Sequence, residues 1–201
     1  MAGRRYTRLI ERAIMELLLS LWLPILLSAA AVWFVSTLFG MPFLHHKNDW
    51  IGLPAPQEDE FMESIRNIGI QPGNYLFPDF RTRAAMESEK VKSALERGPV
   101  GHLSLWRSPL GMGGKLIGCF VVYLGASTLI AYLASAALAR GAEFIKVFQV
   151  VGTAGILAYC FSFLPNAIWF GAYRRTIVVS IIDGIVFGLI TGVIFAWRWP
   201  R

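Results

Sequence analysis

The run IVVSIIDGIVFGLITGVIFAW, residues 177–197, is long and apolar enough to cross a bilayer core as one helix. Its single charge is Asp183, and an acid inside such a run is costly unless a partner pairs with it. Three glycines follow the acid at a spacing of four residues: Gly184, Gly188 and Gly192. Residues at this spacing share one helix face and let a second helix approach closely. We therefore expect a membrane helix that docks through a glycine stripe carrying one acid.

The composition indicates an integral membrane protein. The 201 residues are 55% hydrophobic and only 16% charged, whereas soluble domains usually carry about 25% charged residues. The net charge is +6, yet residues 40–114 hold eight Lys/Arg against nine Asp/Glu. The positive excess therefore flanks the hydrophobic runs, as topology determinants do. No basic soluble face is left, so nucleic acid is not an expected partner.

Four hydrophobic runs predict four transmembrane helices, at residues 17–39, 116–139, 147–170 and 177–197. A basic amphipathic lead, residues 1–16, precedes them. Pro24 is expected to kink or open the first helix. Ala131, Ser135 and Ala139 form a small-residue stripe in the second helix. We expect this stripe, or another protein, to receive the glycines of the fourth helix.

The flanking basic residues predict the orientation. With the N-terminus inside, eight Lys/Arg lie in the cytoplasm: Arg4, Arg5, Arg8, Arg12, Arg140, Lys146, Arg198 and Arg201. The short outer loop then holds only Arg174 and Arg175. This bias favours cytoplasmic termini in a bacterial inner membrane, with residues 40–114 in the periplasm.

Residues 40–114 are expected to form a small cap between the first two spans. A helix is predicted at Gln57–Ile68, and a second at Phe80–Arg97 with Asp79 as its cap. Tyr75–Phe77 and Leu103–Leu105 are expected to pair as a short β-ribbon. The side chains expected to contact a partner are Tyr75, Phe77, Pro78 and Trp106. The fold class is thus an all-α integral membrane protein with a small helical cap that includes this ribbon.

Asp183 has two possible roles: a proton or ion relay, or a buried acid that only fixes helix packing. Its predicted partners are Arg174, Arg175 and Asn166, and Gln149 is the other polar residue within the spans. A transporter usually shows several polar groups along a path. Because so few are visible here, the packing role is favoured.

No catalytic or metal constellation is recognisable in the sequence. His45, His46 and His102 are the available imidazoles, but no further ligand stands at a diagnostic spacing. We therefore predict no metal, no cofactor and no enzymatic activity.

The cap carries Pro72-Gly73-Asn74-Tyr75-Leu76-Phe77-Pro78 and, later, Gly98-Pro99-Val100-Gly101. In these motifs the chain resembles a group of bacterial four-span inner-membrane proteins with a Pro-Gly-x-Tyr-x-Phe-Pro segment. The resemblance extends over the whole chain, and it implies the four-span architecture without an activity.

The leading functional hypothesis is a non-enzymatic accessory, assembly or scaffold subunit of a membrane complex. It rests on the turn-rich aromatic cap and the small-residue stripes. The expected partners are the lipid bilayer and a membrane protein or a second copy of the chain. The alternative is a small proton- or ion-coupled transporter that uses Asp183.

Overall fold

The computed structural model describes residues 12, 15–40, 46, 48–107 and 111–201. Its elements, in chain order, are α1 (Trp22–Phe39), α2 (Ala55–Ile68), β1 (Gly73–Phe77), α3 (Arg83–Glu87), α4 (Glu89–Arg97), β2 (Gly101–Leu105), α5 (Met112–Ala137), α6 (Phe144–Phe161), α7 (Leu164–Trp169) and α8 (Arg174–Trp197). Within this part of the chain, four stretches are long and apolar enough to cross a membrane: α1, α5, α6 continued by α7, and α8. The predicted fold class is therefore confirmed.

The chain divides into two compact units. The bundle unit comprises Met1–Trp50 and Met112–Arg201, and the cap unit comprises Ile51–Gly111. Every span lies in the bundle unit, and so does the short segment that follows α1 as far as Trp50.

Prolines interrupt two of the spans. Residues 15–20 are helical, but the helix turns at Leu21 before α1 begins. Pro24 lacks an N–H and its ring crowds the carbonyl four residues earlier, so the break lies one turn upstream, as predicted. Likewise α6 ends at Phe161, and Pro165 occupies the first turn of α7, a position that tolerates proline.

The spans pack around an apolar core near the ends of α5 and α8. Leu21, Ile130, Val147, Val151 and Phe195 are almost fully buried there. Two hydrogen bonds tie the chain end to the α5–α6 connection. Trp199 Nε1 donates to the Ala139 carbonyl at 3.0 Å, and the Gly141 amide donates to the Pro200 carbonyl at 2.8 Å.

A buried pair of serines joins α1 to α5. The hydroxyls of Ser28 and Ser127 lie 2.6 Å apart, and Ser127 also donates to the Ile25 carbonyl at 3.1 Å. Water is scarce at this depth, so these groups satisfy one another across the helix contact.

Replacing Ser127 with alanine is expected to lower the free energy of unfolding by about 0.6–1.7 kcal/mol, the range for interhelical hydrogen bonds in membranes. Reversible unfolding in mixed micelles measures this value. Thr128→Ala is the matched control, because the Thr128 hydroxyl donates to the Leu124 carbonyl of its own helix. Equal losses in the two variants would show that the interhelical bond contributes nothing.

The cap unit follows the predicted order with one correction. The strands pair antiparallel with Tyr75 opposite Leu103, which confirms the ribbon. The predicted helix at Phe80–Arg97 is wrong as one helix, because Ser88 is extended and separates α3 from α4. The cap of α3 is Thr82, whose hydroxyl accepts from the Ala85 amide at 3.2 Å. The predicted cap, Asp79, instead pairs with Arg81.

The described part of the cap unit contains no buried residue. Its apolar side chains therefore remain partly or largely exposed. Among the predicted contact residues, Phe77 and Trp106 are exposed, whereas Tyr75 and Pro78 are half-buried. The Tyr75 hydroxyl donates to the Gln71 carbonyl at 2.6 Å. The unit has surface available for a partner but little core of its own.

Candidate functional site

The glycine stripe of α8 meets α6. A Cβ atom added to Gly188 would lie 2.6 Å from the backbone nitrogen of Ile156, and one added to Gly184 would lie 2.9 Å from that of Cys160. A Cβ at Gly192 would lie 3.0 Å from the Cα of Gly152. The predicted close helix contact within the chain is therefore present. The prediction that the Ala131/Ser135/Ala139 stripe of α5 faces the glycines is wrong. The glycines of α6, which the sequence interpretation overlooked, provide the facing surface.

The residues of the α5 stripe lie away from the glycines of α8. Ala131 and Ser135 are buried in the bundle, and Ser135 donates to the Tyr132 carbonyl of its own helix at 2.8 Å. Ala139 lies beyond the end of α5, is exposed, and accepts the Trp199 bond.

Close packing of α8 on α6 places Asp183 at the inner surface of the bundle. The residue is 7% exposed. It lies nine residues after the start of α8, about 14 Å along the helix axis. Its Oδ2 atom is 2.6 Å from His46 Nε2. The acid inside the span is thus paired with an imidazole from the segment after α1.

The other side of the imidazole meets a second carboxylate. His46 Nδ1 is 2.6 Å from Asp49 Oδ2, and the Asp49 amide donates to the His46 carbonyl at 3.0 Å. Asp49 Oδ1 in turn accepts from Arg175 Nη1 at 2.5 Å. A continuous polar chain therefore runs Asp183–His46–Asp49–Arg175, and we call these four residues the relay cluster.

The two short contacts of His46 set a requirement on the protonation of the relay cluster. A neutral imidazole has one N–H, so it can donate to only one of the two facing carboxylates. Two hydrogen bonds require either an imidazolium or a proton on one carboxyl group. With His46 protonated, the two carboxylates balance His46 and Arg175. Without that proton, the cluster has a net charge of −1.

The pKa of His46 reflects two opposing effects. Partial burial lowers it, but the hydrogen bonds to Asp183 and Asp49 and their negative charges outweigh burial, so the pKa is raised above 6.5. The imidazolium therefore persists to a higher pH than in an unfolded chain. The other titratable groups near this point are Arg175, Tyr123, Tyr159 and Cys160.

A cleft of about 410 Å³ adjoins the relay cluster. His46 and Asp183 line it together with residues from all four spans, including Ser36 of α1 and Ser180 of α8. The cleft is large enough for a small organic molecule. The His46–Asp183 pair therefore lies at the wall of a space of that size.

Aromatic rings form one wall of the cleft. Phe187, one turn after Asp183, has its ring centroid 6.2 Å from that of Tyr123 and 6.0 Å from that of Tyr159. Tyr123 and Tyr159 are 6.1 Å apart. The three rings, which we call the aromatic wall, pack edge to face. They come from α5, α6 and α8 and line the same cleft as Asp183.

One polar atom of the aromatic wall is unsatisfied. Tyr159 Oη is buried and has no hydrogen-bond partner in the described part of the chain. The neighbouring Thr191 hydroxyl already donates to the Phe187 carbonyl at 2.9 Å. Because Tyr159 Oη is inaccessible, the adjacent Thr191 hydroxyl, which keeps its acceptor lone pairs, is the group that can receive its O–H.

The remaining predicted site residues lie outside this arrangement. Arg175 reaches Asp183 through Asp49 and His46, whereas Arg174 is an exposed residue at the start of α8. Asn166 is exposed in α7, and Gln149 is exposed on α6. Neither amide lines the cleft.

The histidines do not assemble a metal site within the described residues. The two carboxylates meet opposite nitrogens of His46, so the three side chains do not converge on one point. His102 belongs to β2 in the cap unit, and His45 lies outside the described residues. In the sequence, His45 and His46 with Asp49 nearby were candidates only for a weak metal site, and the pairing of His46 with the distant acid Asp183 was not predicted.

Comparison with known proteins adds no function. No family model, curated protein or solved structure matches this chain.

Proposed function

We propose that the protein is a small proton-coupled carrier that binds a proton at the His46–Asp183 pair and a solute in the adjoining cleft. The observation that carries the proposal is the imidazole held between Asp49 and Asp183 at 2.6 Å on each side, at the wall of a cleft between the spans. This replaces the isolated acid of the sequence interpretation with a connected set of proton-binding groups.

The arrangement of the cluster supports proton coupling in two ways. One side of His46 faces the intramembrane acid, and the other connects through Asp49 to Arg175, whose side chain is 44% exposed. A proton can therefore pass between Asp183 and Asp49 through the two ring nitrogens of His46. Arg175 cannot take up this proton, because a guanidinium has no acceptor, and it holds Asp49 in place. A solute that interacts with Asp183 competes with the His46 proton for the same carboxylate, which links the two binding events.

We also propose that the protein lies in a bacterial inner membrane with both termini in the cytoplasm. The flanking Lys/Arg bias supports this orientation. The cleft then opens toward the periplasm, because α1 ends and α8 begins at that side. A reporter fusion near residue 90 tests the orientation, and a cytoplasmic signal there would reverse it.

The test of function is transport by purified protein in vesicles. A pH gradient is imposed, and proton movement is recorded while cationic, anionic and neutral small solutes are added in turn. We expect at least one class to drive proton movement in the wild type and none in Asp183→Asn. Failure of every class to move protons through the wild type would refute the carrier.

The conservative variant needs a folding control. Helix content and the monodispersity of Asp183→Asn in detergent are compared with the wild type before transport is measured. Gln149→Asn, on the exposed face of α6, serves as a matched control within the spans. Equal transport by the Gln149→Asn and Asp183→Asn variants would show that transport does not depend on Asp183.

The second candidate is the accessory or assembly subunit. The observation in its favour is the cap unit, in which exposed apolar side chains include Ile68, Val100 and Trp106. The glycine stripe no longer supports docking to another protein, because α6 occupies it. Any partner is therefore expected at the cap.

A native purification in mild detergent tests this candidate. Ile68→Asp and Trp106→Ala are expected to release a partner identified by mass spectrometry, whereas Arg83→Gln, at an exposed ion pair of the same unit, retains it. Recovery of the wild type as a lone monomer would contradict a stable complex.

A further inference from the structure

We propose that the solute of the cleft is a small monovalent organic cation, such as a quaternary ammonium compound. This inference rests on the proposed carrier function and names its substrate class. It is carried by the placement of the aromatic wall and Asp183 in one cleft.

The aromatic wall suits a positive group that is weakly hydrated. The faces of Tyr and Phe rings attract cations through their quadrupoles, and several rings around one space are the usual recognition device for quaternary ammonium groups. Here rings from three helices line one cleft and pack edge to face with one another, and Phe39 stacks on Phe187. A strongly hydrated inorganic cation would instead need more oxygen ligands than this wall offers.

The charge of the relay cluster fits an exchange of one cation for one proton. With the His46 proton present, the four charges of the cluster cancel. When the proton leaves, the cluster has a net charge of −1 beside the aromatic wall. A monovalent cation restores neutrality, so the low-dielectric cleft holds either the proton or the cation at little electrostatic cost. No covalent step is involved.

An anionic solute fits the cleft less well. The nearest guanidinium, Arg175, already donates to Asp49. A carboxylate in the cleft would face Asp183, and two adjacent carboxylates repel unless one takes up a proton. A neutral solute would satisfy the apolar wall but would not replace the charge of the departing proton.

Direct binding of choline to the purified full-length protein tests the inference. Choline is compared with 3,3-dimethylbutan-1-ol, which has the same shape without the charge, and with propionate. We expect choline to bind at least about tenfold more tightly than the neutral isostere. At pH values below the pKa of His46, the apparent dissociation constant of choline should rise about tenfold for each unit by which the pH is lowered. The reason is that one proton competes with one cation.

Variants assign the binding to the cleft. Asp183→Asn is expected to weaken choline binding and to remove its pH dependence. Tyr123→Leu, which removes one ring of the aromatic wall, should weaken binding between about twofold and thirtyfold, whereas Tyr123→Phe keeps the ring and the affinity. Equal binding by Tyr123→Leu and Tyr123→Phe, or by choline and its isostere, would overturn the organic-cation assignment.

The result separates this inference from the carrier proposal. If another solute class drives Asp183-dependent proton movement and choline does not bind, the substrate class is wrong and the carrier stands. If choline binds through Tyr123 and Asp183 but no solute moves protons in vesicles, the cation site stands and the carrier is wrong.

Discussion

Replacing Gly188 with alanine is expected to destabilise the bundle by about 1–3 kcal/mol, the usual cost of forcing extra volume into a closely packed contact. The added methyl group would lie 2.6 Å from the backbone nitrogen of Ile156 and 3.1 Å from the carbonyl oxygen of Gly152. Backbone atoms of a helix cannot turn aside as a flexible side chain can. The contact between α6 and α8 must therefore widen along its length, and reversible unfolding in mixed micelles measures the loss.

Gly125→Ala in α5 is the matched control. It changes the same residue type within a membrane helix, but nothing lies within 4 Å of the added Cβ. Alanine lowers the conformational entropy of the unfolded chain, so this variant should be unchanged or more stable by up to about 1 kcal/mol. A Gly188→Ala protein as stable as Gly125→Ala would mean that α6 and α8 do not approach as closely as described.

The same Gly188→Ala variant is expected to disturb the relay cluster. Asp183 lies little more than one turn from Gly188 on the same helix, and both face the bundle. Separation of α8 from α6 would move Asp183 relative to His46 without changing either side chain. A matching loss of transport would show that the glycines act by positioning the acid.

The four spans follow from the sequence because hydrophobic length is a local property. The glycine stripe likewise predicts a close helix contact from spacing alone. The identity of the facing helix does not follow, since Gly152 and Gly155 on α6 are no more conspicuous in sequence than Ala131 and Ser135 on α5. Only the arrangement of the spans shows that α6, rather than α5, lies against the stripe.

Of the candidate site, the sequence indicated the acid Asp183 but not its pairing with His46. Asp183 stands out because a charge in an apolar run is rare. Its direct partner belongs to another part of the chain, because His46 is 137 residues away. Arg175, which the sequence did indicate, reaches Asp183 only through Asp49 and His46. Polar residues in a loop seldom attract attention, so a pairing that depends on tertiary structure was not predictable. The role of the acid changes from an isolated packing group to one end of a polar chain.

Replacing Asp183 with asparagine is expected to change how stability depends on pH. The pKa of His46 is raised in the folded protein, so protonation of His46 stabilises the fold. This stabilisation is fully present below the unfolded pKa, about 6.5, and is lost as pH rises through the folded pKa. Wild-type stability should therefore fall as pH increases above about 6.5. Asp183→Asn should be less stable below that pH by roughly 1.5–3 kcal/mol, the range for a charge-assisted hydrogen bond.

Two measurements establish that the effect arises at the relay cluster. The pH titration of the His46 imidazole, followed by nuclear magnetic resonance, should shift to a lower pKa in Asp183→Asn. Asp79→Asn is the control: Arg81 lowers the pKa of Asp79 to about 2, so that carboxylate loses its stabilising effect only as pH falls far below neutrality. The Asp79→Asn variant should therefore show the wild-type dependence of stability on pH between about pH 6 and 9. If Asp183→Asn kept the wild-type slope and the wild-type His46 titration, the proton would not be shared with Asp183, and the relay would end at Asp49.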